Sequence, residues 1–257
     1  MIILYRYICF SNLCIPSYGL MMTIGILLCG FLILRKAKQI GVGKEEIIIV
    51  MAISLGMALF SAGLLYTLVS YSIKEIINSV INGNFTFLKN GGLVFYGGLF
   101  GGIIGAIIAL RWQQLDIRKV ERCIIPVLPL GHAIGRVGCF FAGCCHGFEY
   151  TGPLAVKNIL ISAEKTYFPI QLVEALLNFG IFLFLLWYSR TKRPAYCILA
   201  VYLFFYSVVR FILEFFRGDL IRGGFLMFST SQWISVVLFL VSILTLYNFR
   251  ETSKKIN

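Results

Sequence analysis

The sequence has 257 residues, of which 59% are hydrophobic and only 13% charged, with a formal net charge of +12 and a mean hydropathy of +0.89. A soluble domain of this length needs far more polar surface, so the composition excludes that class and points to a membrane protein. The positive charge does not indicate nucleic acid, because the basic residues are spread over loops and form no single solvated patch.

A helix needs about 17–25 largely apolar residues to cross roughly 30 Å of hydrocarbon. Seven runs qualify: about 17–34, 47–70, 91–110, 123–141, 170–188, 196–216 and 233–249. They leave little chain for anything else. The expected architecture is an all-α integral membrane protein, a single membrane domain over 1–257. It has seven transmembrane helices and a small extracytoplasmic segment at about 142–169. No small-residue cleavage site follows the first run, so no cleavable signal peptide is expected. Basic residues concentrate after spans one, three, five and seven, for example Arg35 and Lys36, Arg118 and Lys119, Arg190 and Arg193, and Lys254 and Lys255. The positive-inside bias therefore puts the N-terminus outside and the C-terminus in the cytoplasm.

In chain order, Cys9, Cys14, Cys29, Cys123 and Cys197 are isolated and read as small core residues. Span three carries Gly97, Gly101 and Gly105 at a spacing of four, with Gly98 and Gly102 beside them. Glycines on one face allow the close approach of another helix or of a lipid head group. Span four ends in "GHAIGRVGCFFAGCCHG" (131–147), where His132 and Arg136 share a helical face. Cys139, Cys144, Cys145 and His146 follow. Sulfur and imidazole are zinc-ligand types, but this spacing is not a common one and adjacent cysteines rarely both ligate. A Cys139–Cys144 disulfide is a second reading. Packing at a helix end is the leading one, and neither metal nor cofactor is expected. Gln171 and Glu174 share a face of span five. Tyr206, Arg210 and Glu214 repeat at a spacing of four along span six, and Arg217 follows three residues later.

Ionisable groups inside spans cost about 2.5–3.5 kcal/mol each on insertion scales, so they are functional candidates by default. On this topology Arg136, Arg210, Glu214 and Arg217 lie in the outer half of the membrane. Gln171, Glu174 and Tyr18 lie at similar depth. One reading is mutual neutralisation, with Arg210–Glu214 as an intrahelical pair and Arg136–Glu174 as a clamp. The other is a cavity open to the outer leaflet that binds an anionic head group, since guanidinium groups make bidentate bonds to phosphate.

Several stretches, in order, resemble the prolipoprotein diacylglyceryl transferases of the bacterial cytoplasmic (inner) membrane. "SYGLMMTIG" (17–25) is similar to the family's opening Tyr-Gly segment, and "GGLVFYGGLFGG" (91–102) to its His-Gly-Gly motif. "GRVGCF" (135–140) resembles Gly-Arg-x-Gly-Asn-Phe, and "FPIQLVEAL" (168–176) resembles Pro-x-Gln-Leu-x-Glu. "YSVVRFILEFFR" (206–217) and "SQWISVVLFLVS" (231–242) match the last two motifs. The resemblance implies transfer of the diacylglyceryl group of phosphatidylglycerol to the lipobox cysteine thiol of a preprolipoprotein signal peptide. A thioether forms and glycerol phosphate leaves. The implied partners are that lipid, that peptide and membrane lipid, with no nucleic acid and no cofactor.

By the same resemblance Arg136 and Arg210 serve the head group, Glu214 orients Arg210, and Tyr18 and Tyr206 donate hydrogen bonds. Gly97, Gly98, Gln171, Glu174 and Arg217 complete the expected substrate contacts. Three positions depart from the pattern: Tyr96 stands for the motif histidine, Cys139 for the signature asparagine, and Cys144 for a glutamate. A branch of the family with "GCF" and "GCC" in its signature shares the last two. The departures leave the general base unassigned between Tyr96 and His132, with His146 a weaker candidate; His132 titrates nearer neutrality than Tyr96. They also raise two alternatives, a paralogue with a different acceptor and a non-catalytic lipid-binding protein. A transporter is disfavoured by the lack of inverted repeats and Pro-broken helix pairs.

Overall fold

Hydrocarbon-length helices separated by short polar turns account for most of the chain. The computed structural model describes residues 7–10, 13–82, 92, 94–157, 161–162, 164–191, 193–218, 224–225 and 227–256. Gly91 and Leu93, which open the third expected span and its motif, lie outside the described residues. Among the described residues seven helices are long and apolar enough to cross a membrane.

The chain begins with an antiparallel hairpin, β1 (Tyr7–Phe10) and β2 (Leu13–Pro16). Cys9 faces Cys14 across it, and the two are disulfide-bonded. This corrects their expected role as isolated core residues: both are exposed, and cross-strand register brings their β-carbons together.

Then come α1 (Ser17–Gln39), α2 (Lys44–Ser70), α3 (Ile73–Ile81) and α4 (Phe95–Trp112). Glu46 accepts a hydrogen bond from the Gly43 N–H at 2.7 Å, and Glu75 one from the Ser72 N–H at 2.8 Å. Each glutamate satisfies a helix-start donor that has no partner within the helix. The short α3 lies between the second and third expected spans. Its pattern is strongly amphipathic, but it is too short to register as a span.

The fourth expected span, 123–141, is not one uniform helix. It comprises α5 (Ile117–Ile124), a 3-10 turn (Ile125–Val127) and α6 (Leu128–Ala142). Pro126 and Pro129 lack the N–H that a continuous ladder needs, which accounts for the interruption. The two-residue strands β3 (Val156–Lys157) and β4 (Thr166–Tyr167) pair antiparallel. They are followed by α7 (Ile170–Tyr188), α8 (Ala195–Glu214), the small pair β5 (Gly224–Phe225) and β6 (Phe228–Ser229), and α9 (Thr230–Ile256).

The chain divides into two compact units, Met1–Ile33 with Glu121–Asn257, and Leu34–Val120. In the second unit α2 packs against α4. A β-carbon added at Gly97 would meet the Ser61 carbonyl oxygen at 2.5 Å, one at Gly101 the Met57 carbonyl oxygen at 2.5 Å, and one at Gly105 the Met57 β-carbon at 2.8 Å. The glycine face is therefore filled by the backbone of α2, which is the helix-packing use of such a stripe. Ser54 secures the contact by donating to the Gly102 carbonyl at 2.8 Å.

In the first unit α6 packs on α7, α7 on α8, and α8 on α9. Ile125, Ile181, Leu185, Ala195, Ile198, Val201 and Tyr202 form its apolar core. Gly138 lets α1 lie against α6, since a β-carbon there would meet Tyr18 Cδ2 and Met21 Cβ at 3.2 Å. Large side chains such as Leu27, Leu176 and Trp187 remain exposed on the helices, as expected where the surrounding solvent is lipid.

Candidate active site

Glu174 is the centre of the polar layer. It sits on the buried face of α7, one turn after Gln171, and its side chain is only 3% exposed. Arg136 reaches it from α6, with Nη2 2.9 Å from Oε1. Arg210 approaches the other oxygen from α8, with Nη1 3.8 Å from Oε2. Arg210 Nη2 also lies 2.7 Å from Glu214 Oε2 one turn along α8, and donates to Ser231 Oγ at 3.2 Å. Glu214 is held in turn by the Ser229 hydroxyl at 2.9 Å. Gln232 closes the corner, its Oε1 accepting from the Ser229 N–H at 2.9 Å and its N–H donating to Ser229 Oγ at 3.2 Å.

Both ion pairs of the neutralisation reading are thus present. Two arginines stand against two carboxylates. Among the described residues buried Arg210 Nη1, 3.8 Å from Glu174 Oε2, makes no hydrogen bond, and a buried donor without one carries a desolvation cost of about 1–3 kcal/mol. Arg136 remains the more accessible of the two arginines, with its side chain 21% exposed. Two guanidinium groups on different helices are thus turned to one carboxylate.

An apolar groove of about 350 Å³ lies between α8 and α9, lined by Ser207, Val208, Phe211, Ile212, Ser235, Val236 and Phe239. Its lining positions on α8 flank Arg210 in sequence, and those on α9 begin one turn after Ser231.

His132 is one turn before Arg136 on α6, as the spacing implied. Its Nδ1 is 2.7 Å from the Tyr202 hydroxyl, and its ring centroid is 5.3 Å from that of Tyr206. Gln171 turns its amide to the Cys144 carbonyl at 2.7 Å. Tyr18 lies against Gly138. Arg136, Glu174, Arg210 and Glu214 are thereby brought into one connected set, while His132, Tyr202 and Tyr206 form a neighbouring group on α6 and α8. Tyr96, Gly97 and Gly98 belong to the other unit, where Tyr96 is exposed and both glycines face α2.

The segment after α6 is tightly built. Gly143 ends the helix in the left-handed region at φ 71°, and the Cys144 N–H donates to the Cys139 carbonyl at 3.2 Å, a usual way to satisfy terminal carbonyls. The Gly147 N–H donates to the Phe168 carbonyl, the Phe148 N–H to the Phe216 carbonyl, and the Gly218 N–H to the His146 carbonyl. Phe148 stacks on Phe168 with ring centroids 5.7 Å apart. These contacts bind the starts and ends of three helices to one another. Cys139, Cys144 and Cys145 are not disulfide-bonded, and their sulfurs all lie within 4.8 Å of one another. Hydrogen bonds from the Cys139 and Cys144 thiols and from Arg217 hold the Cys145 thiol well below the usual thiol range. The Cys139 thiol pulls Cys144 down, but the Cys145 thiolate and burial outweigh it and push Cys144 up.

Residue spacing had not singled out Ser229, Ser231, Gln232 or Tyr202 as site residues. Ser231 and Gln232 stood in the quoted "SQW" stretch, and Tyr202 precedes Tyr206 by one turn on α8. Those were the available signals.

A sequence model described as prolipoprotein diacylglyceryl transferase matches residues 7–248. The chain is similar to phosphatidylglycerol–prolipoprotein diacylglyceryl transferase of Clostridium tetani, with 33% identity over 89% of this chain and 91% of the relative. It is 29% identical to phosphatidylglycerol–prolipoprotein diacylglyceryl transferase 2 of Clostridium perfringens, covering 92% and 91% of the two chains. The Clostridioides difficile enzyme of the same name is 30% identical over 80% of each chain. With the family's sequence pattern spanning nearly the whole chain and its charged motif residues meeting around Glu174, the protein belongs to the prolipoprotein diacylglyceryl transferase family.

Proposed function

We propose that this enzyme transfers the diacylglyceryl group of phosphatidylglycerol to the lipobox cysteine thiol of a preprolipoprotein. The carrying observation is the pair of arginines on separate helices, Arg136 and Arg210, sharing Glu174 while Arg210 Nη1 makes no hydrogen bond among the described residues. A phosphate oxygen supplies the acceptor that this donor lacks. Glu174 and Glu214 hold the guanidinium groups in place, and Ser231 fixes the Arg210 fork. Once bound, the head group would direct an acyl chain along the groove between α8 and α9.

The reaction forms a bond from the cysteine sulfur to the terminal glyceryl carbon. The bond from that carbon to the phosphate oxygen breaks, and the electron pair leaves with glycerol phosphate. Arg136 and Arg210 would stabilise the charge that grows on this leaving oxygen, which is where fixed cations lower a barrier most. His132 is the base of this reading, oriented by Tyr202. Tyr18, Tyr206, Gln171 and Arg217 enter as substrate contacts, and Tyr96, Gly97 and Gly98 enter through their motif positions alone.

The proposed location is the bacterial cytoplasmic membrane, with the N-terminus outside and the C-terminus in the cytoplasm. Loop charge supports this orientation, as does the Cys9–Cys14 disulfide at the expected outer end of α1, since disulfides persist in oxidising compartments. A second reading, the same cavity serving a different acceptor, is favoured by Tyr96, Cys139 and Cys144 at the departing motif positions.

The deciding experiment incubates the purified protein with phosphatidylglycerol and a lipobox peptide and reads the peptide mass. A diacylglyceryl-sized gain on the cysteine supports the transferase. Lipid binding with no adduct on that peptide would turn the assignment to the second reading.

A further inference from the structure

We infer that Cys139, Cys144 and Cys145 form a three-thiolate site for a thiophilic divalent cation of the Zn²⁺ class, whose fourth position takes the acceptor cysteine of the peptide. The second half of this inference rests on the transferase reading; the first does not.

Three observations carry it. The three sulfurs already lie within 4.8 Å of one another. Zinc–sulfur bonds of about 2.3 Å place tetrahedral ligand sulfurs about 3.8 Å apart, so closing the site takes side-chain shifts of about 1 Å. The backbone is bent to achieve this clustering. Cys145, a non-glycine residue, sits at φ 56°, a conformation that costs free energy and persists only where its surroundings impose it. Neighbouring cysteines seldom both ligate in regular backbone, and the left-handed Cys145 removes that obstacle. Finally, the loop is clamped by the Gln171 amide on the Cys144 carbonyl and by the Gly147 and His146 backbone bonds. Cys144 nonetheless remains exposed, which leaves an entry path.

Three protein ligands with one open position is the arrangement of catalytic zinc; structural zinc has four. The charge balance also fits. Arg217 bonds to Cys145, and Arg136 lies within electrostatic range of Cys139 and Cys145. Cys139 follows Arg136 by three residues on α6, a rise of about 4.5 Å along the axis. A metal-bound acceptor would therefore stand beside the arginine proposed to hold the phosphate.

The step balances without redox chemistry. The peptide thiol loses its proton on binding the cation, and water carries that proton to His132, the base of the transferase reading. Its sulfur then attacks the glyceryl carbon, the carbon–oxygen bond breaks, and the product thioether, a weaker ligand, leaves the ion. Coordination deprotonates a thiol outright, whereas a free cysteine of pKa about 8.5 is only about 3% thiolate at pH 7. The cation thus supplies up to about thirtyfold more thiolate at that pH.

The test uses the full chain in detergent, reduced and stripped with chelator, then titrated with Co²⁺. The expected result is a sulfur-to-cobalt charge-transfer band that saturates at one ion per chain. The band is lost or strongly reduced in Cys139→Ser and Cys145→Ser, while Cys29→Ser keeps it. Absence of the band in the unsubstituted protein overturns the site outright, with no variant needed. Adding lipobox peptide should shift the band, and the same peptide with serine for cysteine should not. An unshifted band overturns the acceptor role. Stripped enzyme should form adduct up to about thirtyfold more slowly at pH 7 than Zn²⁺-restored enzyme; equal rates overturn the inference and leave the transferase standing. A band that shifts with peptide but yields no diacylglyceryl adduct instead sinks the transferase reading and leaves the site standing.

Discussion

Arg136 on α6 pairs with Glu174 on α7 at 2.9 Å, and the carboxylate is 3% exposed. Removing one partner of a buried ion pair typically costs about 3–5 kcal/mol, because the other charge is left uncompensated. Glu174→Gln is expected to lower thermal stability in detergent and to reduce adduct formation, since Arg136 loses its ion-pair partner and Arg210 one of its two carboxylates. Unchanged melting and turnover would remove Glu174 from the centre of the site.

Arg210 turns Nη2 to Glu214 and Ser231 and Nη1 toward Glu174. Lysine offers a point charge and cannot serve both arms of this fork. Arg210→Lys should therefore lose at least about tenfold in turnover, consistent with one charge-assisted bond of about 1.5–3 kcal/mol. Arg136→Ala should abolish the adduct. A lysine variant with full activity would mean that charge alone matters at this position.

His132 shares a short hydrogen bond with the Tyr202 hydroxyl, 2.7 Å long. If His132 is the base, His132→Ala slows turnover strongly. Tyr202→Phe, which keeps the ring, changes the pH–rate profile while leaving the fold intact. Wild-type turnover in His132→Ala would withdraw the assignment.

The cysteine loop predicts two reactivities in metal-free protein. The Cys145 thiol is shifted down by its thiol neighbours and Arg217, and Cys144 is shifted up. The thiolate is the reactive form. At neutral pH Cys145 should therefore alkylate faster than Cys144 and depend less on pH. Cys144 should lag, its rate rising about tenfold per pH unit. Peptide mapping after a timed iodoacetamide pulse reads both, and the reverse order would contradict the loop geometry.

Close packing of α2 on α4 predicts that Gly101→Val in the second unit disrupts the helix pair, because a β-carbon would meet the Met57 carbonyl oxygen at 2.5 Å. Gly180→Ala, where nothing lies within 4 Å, should be tolerated or slightly stabilising through helix propensity. Similar melting temperatures for the two variants would argue against the α2–α4 contact.

Hydropathy and charge are properties of contiguous residues, so the sequence by itself determined seven spans and the candidate residues within them, including Arg136, Glu174, Arg210 and Glu214. Helical spacing likewise set His132 one turn from Arg136. Local pattern carries no information on which face of one helix meets another. The shared use of Glu174 by two helices, the Tyr202 partner of His132, and the Ser229–Gln232 corner that fixes Glu214 therefore emerged only in the tertiary structure. The cysteines make the same point. Cys9 and Cys14 became a pair through hairpin register, and three thiols converged through a left-handed residue that no periodicity announces. Burial and span length are written along the chain, whereas contact depends on how separated segments are turned toward each other in three dimensions.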